Sequence, residues 1–302
     1  MNALARRDAL YKHVKCAIGG WLVDSERKRP GDENGVPLRA GQIGRHRLTS
    51  AGRIARILAF AFGGTLILQG CDGTTYPPYR YKETVVVETP QGIRTGSTVI
   101  EVRMYKEGQS NPFARGAIHG QFKGEAAEVD LPNGRALFAL LTSPSNYGWA
   151  KGAYQMLAQL TPEEMAQPYD PDNTGFDIQY RRAMALKGPQ ILPRMMPSAA
   201  PSHEPVSAYP WLVTFGNMTD PTSVRAVDPD NLAASFGHGY KLRAIVLEKT
   251  DEPVGARIQK ALVWLNDYRA RNSRLDGDTS VAIKSNDLKS NLSSGDFWVE
   301  SY

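Results

Sequence analysis

The sequence predicts an α+β fold in which an antiparallel β-meander is followed by helices and a smaller α/β C-terminal half. Three observations lead to this prediction. Runs rich in Val and Thr at 81–88 and alternating apolar residues at 97–105 are typical of strands. The dipeptide Asn133-Gly134 separates two further apolar runs, which indicates a hairpin. After Trp149, apolar residues recur at helical rather than strand spacing.

The second predicted pair of strands covers 117–131 and 135–142. Gly120 and Gly124 lie inside its first strand, where glycine indicates a bulge or a bend. Together with the first pair, these strands follow one another with short connections. Four consecutive strands of this kind predict an antiparallel meander.

Helices are predicted directly after the meander. The sequence from Thr161 to Glu164 has the pattern of a capping box, with Pro162 at the first helical position. Residues 168–208 are rich in proline and predict a long irregular segment, with a short strand within 184–192. This segment either wraps the domain or links two halves.

The C-terminal half alternates predicted strands and helices. Strands are expected at 211–215 and 242–248, and a short helix is expected with Asp228 as its N-cap. Apolar residues over 254–268 recur at helical spacing and predict an amphipathic helix that forms core. The apolar patch at 297–299 ends a polar tail, and we expect it to pack back on the domain.

A short apolar run near the N-terminus separates two arginines from a cysteine. Arg53 and Arg56 precede an uncharged run over 57–68, which is followed by a small residue and Cys71. A charged segment, a short apolar segment and a small residue before the cleavage site form the order of a bacterial secretory signal.

The residues Leu68-Gln69-Gly70-Cys71 resemble the lipobox of bacterial lipoproteins, although Gln69 stands where a small or β-branched residue is usual. The resemblance implies cleavage before Cys71, a diacylglyceryl thioether on its sulfur and an acyl chain on its new amino group. Asp72 favours inner-membrane retention in some Gram-negative bacteria. The alternatives are an uncleaved anchor, a buried core helix or a membrane span, although a span needs about 18 apolar residues.

These observations divide the chain into five predicted parts. They are an extension that is disordered or not translated at 1–47, a signal peptide at 48–70, a tether at 71–79, a globular α+β domain at 80–270 with a subdivision near 190–209, and a polar tail with a packed end at 271–302. Translation from Leu48 would give a leader of ordinary length. The alternative is a genuine basic N-terminal extension.

Charge and cysteine content narrow the class of protein. The whole chain contains 36 Lys+Arg and 31 Asp+Glu, of which residues 1–70 contain 12 and 5. Residues 71–302 therefore contain 24 basic and 26 acidic residues, a net charge of −2. This part has no basic excess to neutralise phosphates, so no nucleic-acid partner is expected. Its only cysteine is Cys71, because Cys16 lies upstream of the signal; a processed domain would contain neither a free thiol nor a disulfide.

The candidate chemistry is sparse. Asp170, Asp172 and Gly175 stand at positions 1, 3 and 6 of a calcium loop, but Arg181 occupies the position of the bidentate glutamate. A turn capped by the Asp170 side chain is the alternative, and the sequence predicts no metal site and no cofactor.

Three histidines follow the signal, namely His119, His203 and His238. None has the spacing of a metal-binding pair. His238 lies in a glycine-flanked turn and is the one candidate for catalysis, with Asp228 or Asp230 as its carboxylate.

Three hypotheses for function remain at this point. The first is an envelope lipoprotein, held in the bilayer through acylated Cys71, that faces the periplasm or exterior and binds an envelope protein or glycan or serves a structural role without catalysis. The second is an envelope hydrolase that uses His238 and a nearby carboxylate. The third is a cytosolic protein in which the apolar run 57–68 is part of the core.

Overall fold

A long antiparallel hairpin is the centre of the fold. The computed structural model describes residues 72–165, 170–197, 204–280 and 287–301. Strand β2 (Tyr79–Thr89) pairs along its whole length with strand β3 (Gly92–Lys106). The two predicted N-terminal strands are confirmed, and both are longer than the runs that predicted them.

Seven strands form the larger sheet. Besides β2 and β3 they are β1 (Thr74–Thr75), β4 (Ile118–Glu125), β7 (Gln190–Ile191), β12 (Lys241–Lys249) and β13 (Trp298–Val299). Their order is β13-β4-β3-β2-β12-β7, with β1 beside β3, and every pair is antiparallel. The predicted meander is confirmed for β2, β3 and β4. Strand β12, which is distant in sequence, forms the other neighbour of β2.

The chain leaves the larger sheet at Ala126 and begins a smaller one. Its strands are β5 (Ala127–Leu131), β6 (Arg135–Ala139), β10 (Leu212–Phe215) and β11 (Val224–Ala226), in the order β11-β10-β6-β5. Strands β8 (Met195–Met196) and β9 (Val206–Ser207) form a separate pair. A 3-10 turn over Pro132–Gly134 joins β5 to β6, which confirms the hairpin predicted from Asn133-Gly134.

The predicted bend lies at Gly124, just before the chain changes sheet. Gly124 packs so closely on β3 that a Cβ atom there would lie 2.9 Å from Ile100 Cγ1. Two residues later, the backbone N–H of Ala126 donates to the carbonyl of Phe297 rather than to a strand of either sheet. The bend therefore divides the predicted strand 117–131 into β4 and β5.

The helices are short and complete an α+β fold, as predicted. They are α1 (Trp149–Gly152), α2 (Pro162–Met165), α3 (Thr174–Ala185), α4 (Leu232–Phe236), α5 (Ile258–Ala261), α6 (Leu265–Ala270) and α7 (Leu288–Asn291). The capping box of α2 is present: Glu164 N donates to Thr161 Oγ1 at 3.3 Å, and Thr161 N donates to Glu164 Oε2 at 2.9 Å. None of the helices in the described part of the chain is long and apolar enough to cross a membrane.

The helix predicted over 254–268 is two short helices, α5 and α6. Leu262 and Trp264, between them, are both buried in the same apolar cluster. Residues two apart point about 200° apart on a continuous α-helix. The interruption therefore allows both side chains to enter the core, and the prediction that this segment forms core is confirmed.

Two further details differ from the sequence-based prediction. The N-cap of α4 is Asn231, whose side chain accepts a hydrogen bond from Ala234 N, whereas Asp228 accepts from Asp230 N in the preceding turn. The segment 168–208, predicted to be irregular, contains the 12-residue helix α3. Asp170 lies in the turn before this helix, and its carboxylate accepts a hydrogen bond from the backbone N–H of Thr174, the first helical residue.

The smaller sheet carries an apolar core on each face. In β6, Leu137 and Ala139 belong to the core shared with the larger sheet, which we call the first core. Ala136 and Phe138 belong to the second core, which the C-terminal segments cover. Phe297 is fully buried in this second core, so the predicted packing of the C-terminal patch is confirmed.

Candidate functional site

The predicted lipidation residue Cys71 and the lipobox residues Leu68 and Gly70 lie outside the described residues. The chain directly after them is described from Asp72 onward. Thr74 and Thr75 form β1 opposite Lys106 and Tyr105. The prediction of a free tether over 71–79 needs correction, because the chain is part of the larger sheet from Thr74.

Strand β1 extends β2 along the same edge of β3. Tyr79 pairs with Val102, and Thr75 pairs with Tyr105. The two pairings differ by one residue in register, and Pro77 and the following proline lie between them. Proline has no backbone N–H to donate to a ladder, so the pairing is interrupted there and resumes at Thr75.

The side chain of Tyr76 fixes this segment to the domain. Tyr76 is buried, and its hydroxyl donates to Asp177 Oδ1 on α3. Lys106 Nζ lies 2.5 Å from the second oxygen of the same carboxylate. Burial, followed by the bond to Asp177, raises the pKa of the Tyr76 hydroxyl well above its usual range. The hydroxyl therefore stays protonated and serves as a donor.

Two further contacts hold the same segment. The hydroxyl of Tyr180 on α3 donates to the carbonyl of Pro77 at 2.6 Å. A Cβ atom on Gly73 would lie 2.0 Å from Tyr105 Oη, so a larger residue at this position would displace the tyrosine ring. These contacts therefore fix the chain to the domain from Gly73 onward.

The loop between β3 and β4 lies next to Thr74, the first residue of β1, which pairs with the last residue of β3. Its base is closed by hydrogen bonds from Glu107 N to the Ala117 carbonyl and from Gly116 N to the Glu107 carbonyl. Arg115 binds both oxygens of Asp172 at 2.7 Å. At the tip, the Phe113 side chain is 99% exposed. We refer to this loop and the adjoining strand β1 as the attachment end.

Asp170 and Asp172 form a capped turn at this end of the domain. Asp170 accepts hydrogen bonds from Asp172 N, Thr174 N and the Thr174 hydroxyl. Hydrogen bonds from Thr174 hold its pKa below the usual range, as the bond from Arg115 does for Asp172. No cluster of three or more metal-ligating side chains occurs among the described residues. The alternative of an Asx-capped turn is the one found.

Among the described residues, the structure does not bring His238 together with either of its candidate carboxylates. His238 is exposed and forms no hydrogen bond or ion pair with any described residue. Its candidate partner Asp230 instead binds Arg194 Nη2 at 2.8 Å, and this bond holds the Asp230 pKa below its usual range. His119 lies 3.2 Å from Glu107 on the attachment end. His203 lies outside the described residues.

The side chain of Glu83 is a buried acidic group that the sequence analysis did not identify. It is fully buried on β2, and neither carboxylate oxygen has a hydrogen-bond partner among the described residues. Thr98, directly opposite on β3, has an equally unpartnered hydroxyl. Burial raises the pKa of Glu83 from 4.5 to about 8. The alternation Tyr81, Glu83, Val85 along the strand is the signal that could have placed this residue in the core.

Comparisons with known proteins give no relative from which a function could be transferred. No family model matches the chain, and no curated protein and no solved structure gives a match. The functional argument therefore rests on the residues of this chain.

Proposed function

We propose that this chain is a bacterial envelope lipoprotein, anchored through acylated Cys71, whose domain binds an envelope protein or glycan or serves a structural role. The observation that carries the proposal is the order of residues 53–71: two arginines, a short apolar run, and Leu68-Gln69-Gly70-Cys71. The folded unit Gly73–Tyr302 follows the cysteine almost directly.

The physics of attachment depends on the number of acyl chains. Each buried methylene contributes about 0.8 kcal/mol, a single chain binds only marginally, and stable anchoring requires two. A lipoprotein cysteine carries two or three chains. Attachment should therefore survive high salt, which screens exposed charges at distances beyond about 3 Å at 1 M.

Metabolic labelling tests the proposal. A labelled fatty acid should enter the wild-type protein in a bacterial host and should not enter Cys71→Ser, which should remain as an unprocessed precursor. Cys16→Ser is the matched control and should incorporate the label normally, because the signal lies downstream of it. A wild type without label that is recovered in the soluble fraction would overturn the proposal and favour the cytosolic hypothesis.

The hydrolase hypothesis makes a different demand on the domain. It requires His238 to meet a carboxylate, but Asp230 is bound to Arg194 and Asp228 accepts a hydrogen bond from Asp230 N. The arrangement of these groups therefore favours the non-catalytic role. Incubation of envelope material with the wild-type protein and with His238→Ala separates the two hypotheses: a hydrolase predicts fragments released by the wild type and not by the variant, whereas a non-catalytic role predicts no difference between the two proteins.

A further inference from the structure

The direction of β1 shows at which end of the domain the described chain begins, next to Cys71 in sequence. Strand β1 is antiparallel to β3, with Thr74 opposite Lys106. The chain from Thr74 back towards Cys71 therefore runs in the direction in which β3 continues into the loop after Lys106. The attachment end is the end of the domain at which the described chain begins, at the residue that follows Cys71.

The length of chain between anchor and domain is short. Three residue steps separate Thr74 from Cys71, and a fully extended chain spans at most about 10 Å over that distance. Gly73 is packed against Tyr105, which leaves less of this length free. If Cys71 carries lipid, the attachment end is held at the level of the lipid headgroups.

The surface at this end is apolar at its tip and charge-compensated at its base. Phe113 is 99% exposed, and Pro112 before it is also exposed. Lys106 is paired with Asp177, and Arg115 is paired with Asp172. Compensated charges give little attraction to anionic lipids, whereas Phe is one of the residues that membrane-surface segments bury at the boundary between headgroups and acyl chains.

We propose that Phe113 inserts into the interfacial region of the bilayer and forms a second, non-covalent contact that orients the anchored domain. This inference rests on the proposed function, because the lipid on Cys71 brings the loop to the membrane. The partner that the loop tip contacts is the lipid bilayer itself. Since the contact is apolar, it should be insensitive to salt and to the fraction of anionic lipid.

The absence of other thiols in the processed chain makes this inference directly testable. Cys71 is blocked by lipid and Cys16 is removed with the leader, so Phe113→Cys introduces one reactive thiol. A bimane label at this position reports contact with brominated acyl chains through quenching. Ile93→Cys is the matched control, because Ile93 is an exposed apolar residue at the opposite end of β3, about 43 Å from Lys106 at about 3.3 Å per residue.

The experiment uses the full processed lipoprotein in phosphatidylcholine vesicles with and without brominated chains. We expect bimane at residue 113 to be quenched about twofold or more, as for a group 5–10 Å below the surface, and bimane at residue 93 to be unaffected. A flexible Gly-Ser insertion of about ten residues between Asp72 and Gly73 adds a mean reach of about 17 Å and should reduce the quenching at residue 113.

The outcomes separate this inference from the proposed function. A protein that incorporates labelled fatty acid and floats with the vesicles, but shows no more quenching at residue 113 than at residue 93, overturns the inference and leaves the anchor in place. It would then favour a protein partner for the loop. A wild-type protein that incorporates no fatty acid in the labelling experiment would refute the lipoprotein proposal itself, before the quenching experiment is done.

Discussion

The titration of Glu83 should make the stability of the domain depend on pH between 4.5 and 8. The perturbation that tests this is Glu83→Gln, which keeps the shape of the side chain and removes the ionisable group. The folded pKa is about 8, against an ordinary value of 4.5. Burial on β2 without a partner is the cause, since an unpaired charge is costly to remove from water.

The sign and size of the effect follow from proton linkage. Between pH 4.5 and 8 the folded state keeps a proton that the unfolded state loses, so stability falls as pH rises. One pH unit corresponds to about 1.4 kcal/mol, so the loss between pH 5 and pH 8 is on the order of 3–4 kcal/mol. The full contribution of neutral Glu83 is present below pH 4.5, and no further loss is expected well above pH 8.

Urea unfolding of a soluble form that begins at Asp72, followed at pH 5, 6, 7 and 8, measures this slope. Wild type should lose stability with rising pH, whereas Glu83→Gln should lose much less. Glu248→Gln on the neighbouring strand β12 is the control, because its partly exposed side chain points away from the first core and should leave the slope unchanged. A wild-type stability that stays constant, or a slope that persists in Glu83→Gln, would refute the argument.

Three further predictions concern the stability of the same soluble form in urea. Leu262→Ala should cost about 2–5 kcal/mol because Leu262 is fully buried, whereas Val263→Ala beside it should cost less than about 0.5 kcal/mol because Val263 is 65% exposed. Asp177→Asn should cost about 1–3 kcal/mol, because it weakens the bond to Lys106 and leaves the Tyr76 hydroxyl with a weaker acceptor. His238→Ala should change stability by less than about 0.5 kcal/mol, since its side chain is exposed.

Each of these predictions has a distinct contrary result. Equal effects of Leu262→Ala and Val263→Ala would mean that this segment does not contribute to the second core. An unchanged free energy of unfolding in Asp177→Asn would mean that the β1 contacts are independent of α3. A large loss in His238→Ala would indicate that this turn has a partner that the structure does not show.

Local patterns predicted most of the strands. The alternation of Val99, Ile100 and their neighbours, and the Asn133-Gly134 turn, depend on residues close in sequence, and the corresponding strands β3, β5 and β6 are present. The pairing of β12 with β2 could not be predicted in this way. It joins residues about 160 positions apart, and nothing in either strand alone specifies its neighbour.

The two segments that were predicted incorrectly have different physical causes. Helix α3 was hidden in a proline-rich segment, although Phe176, Tyr180 and Met184 recur at four-residue spacing and pack on the first core. The segment after Cys71 looked like a tether because Pro77 and its neighbour interrupt it. Its docking depends on Asp177, about 100 residues later, so it is a tertiary effect.

The candidate site was predictable only in part. The residues that resemble a lipobox are contiguous, so the sequence alone suggests Cys71 as the anchor, and that prediction awaits the labelling experiment. The exposure of Phe113 could not be read from the sequence, because an aromatic residue in a loop is more often packed than free. The ion pair between Asp230 and Arg194 likewise could not be predicted from the sequence, because the two residues lie 36 positions apart.

The two ends of the folded unit enter the same sheet, and this constrains the order in which the domain is made. Strand β1 is added to β3 from about 30 positions away, whereas strand β13 is added to β4 from about 174 positions away. Contacts so distant in sequence slow folding, because the loop must close before the contact stabilises anything. A chain that is synthesised from its N-terminus cannot complete this sheet until Trp298 and Val299 have been added.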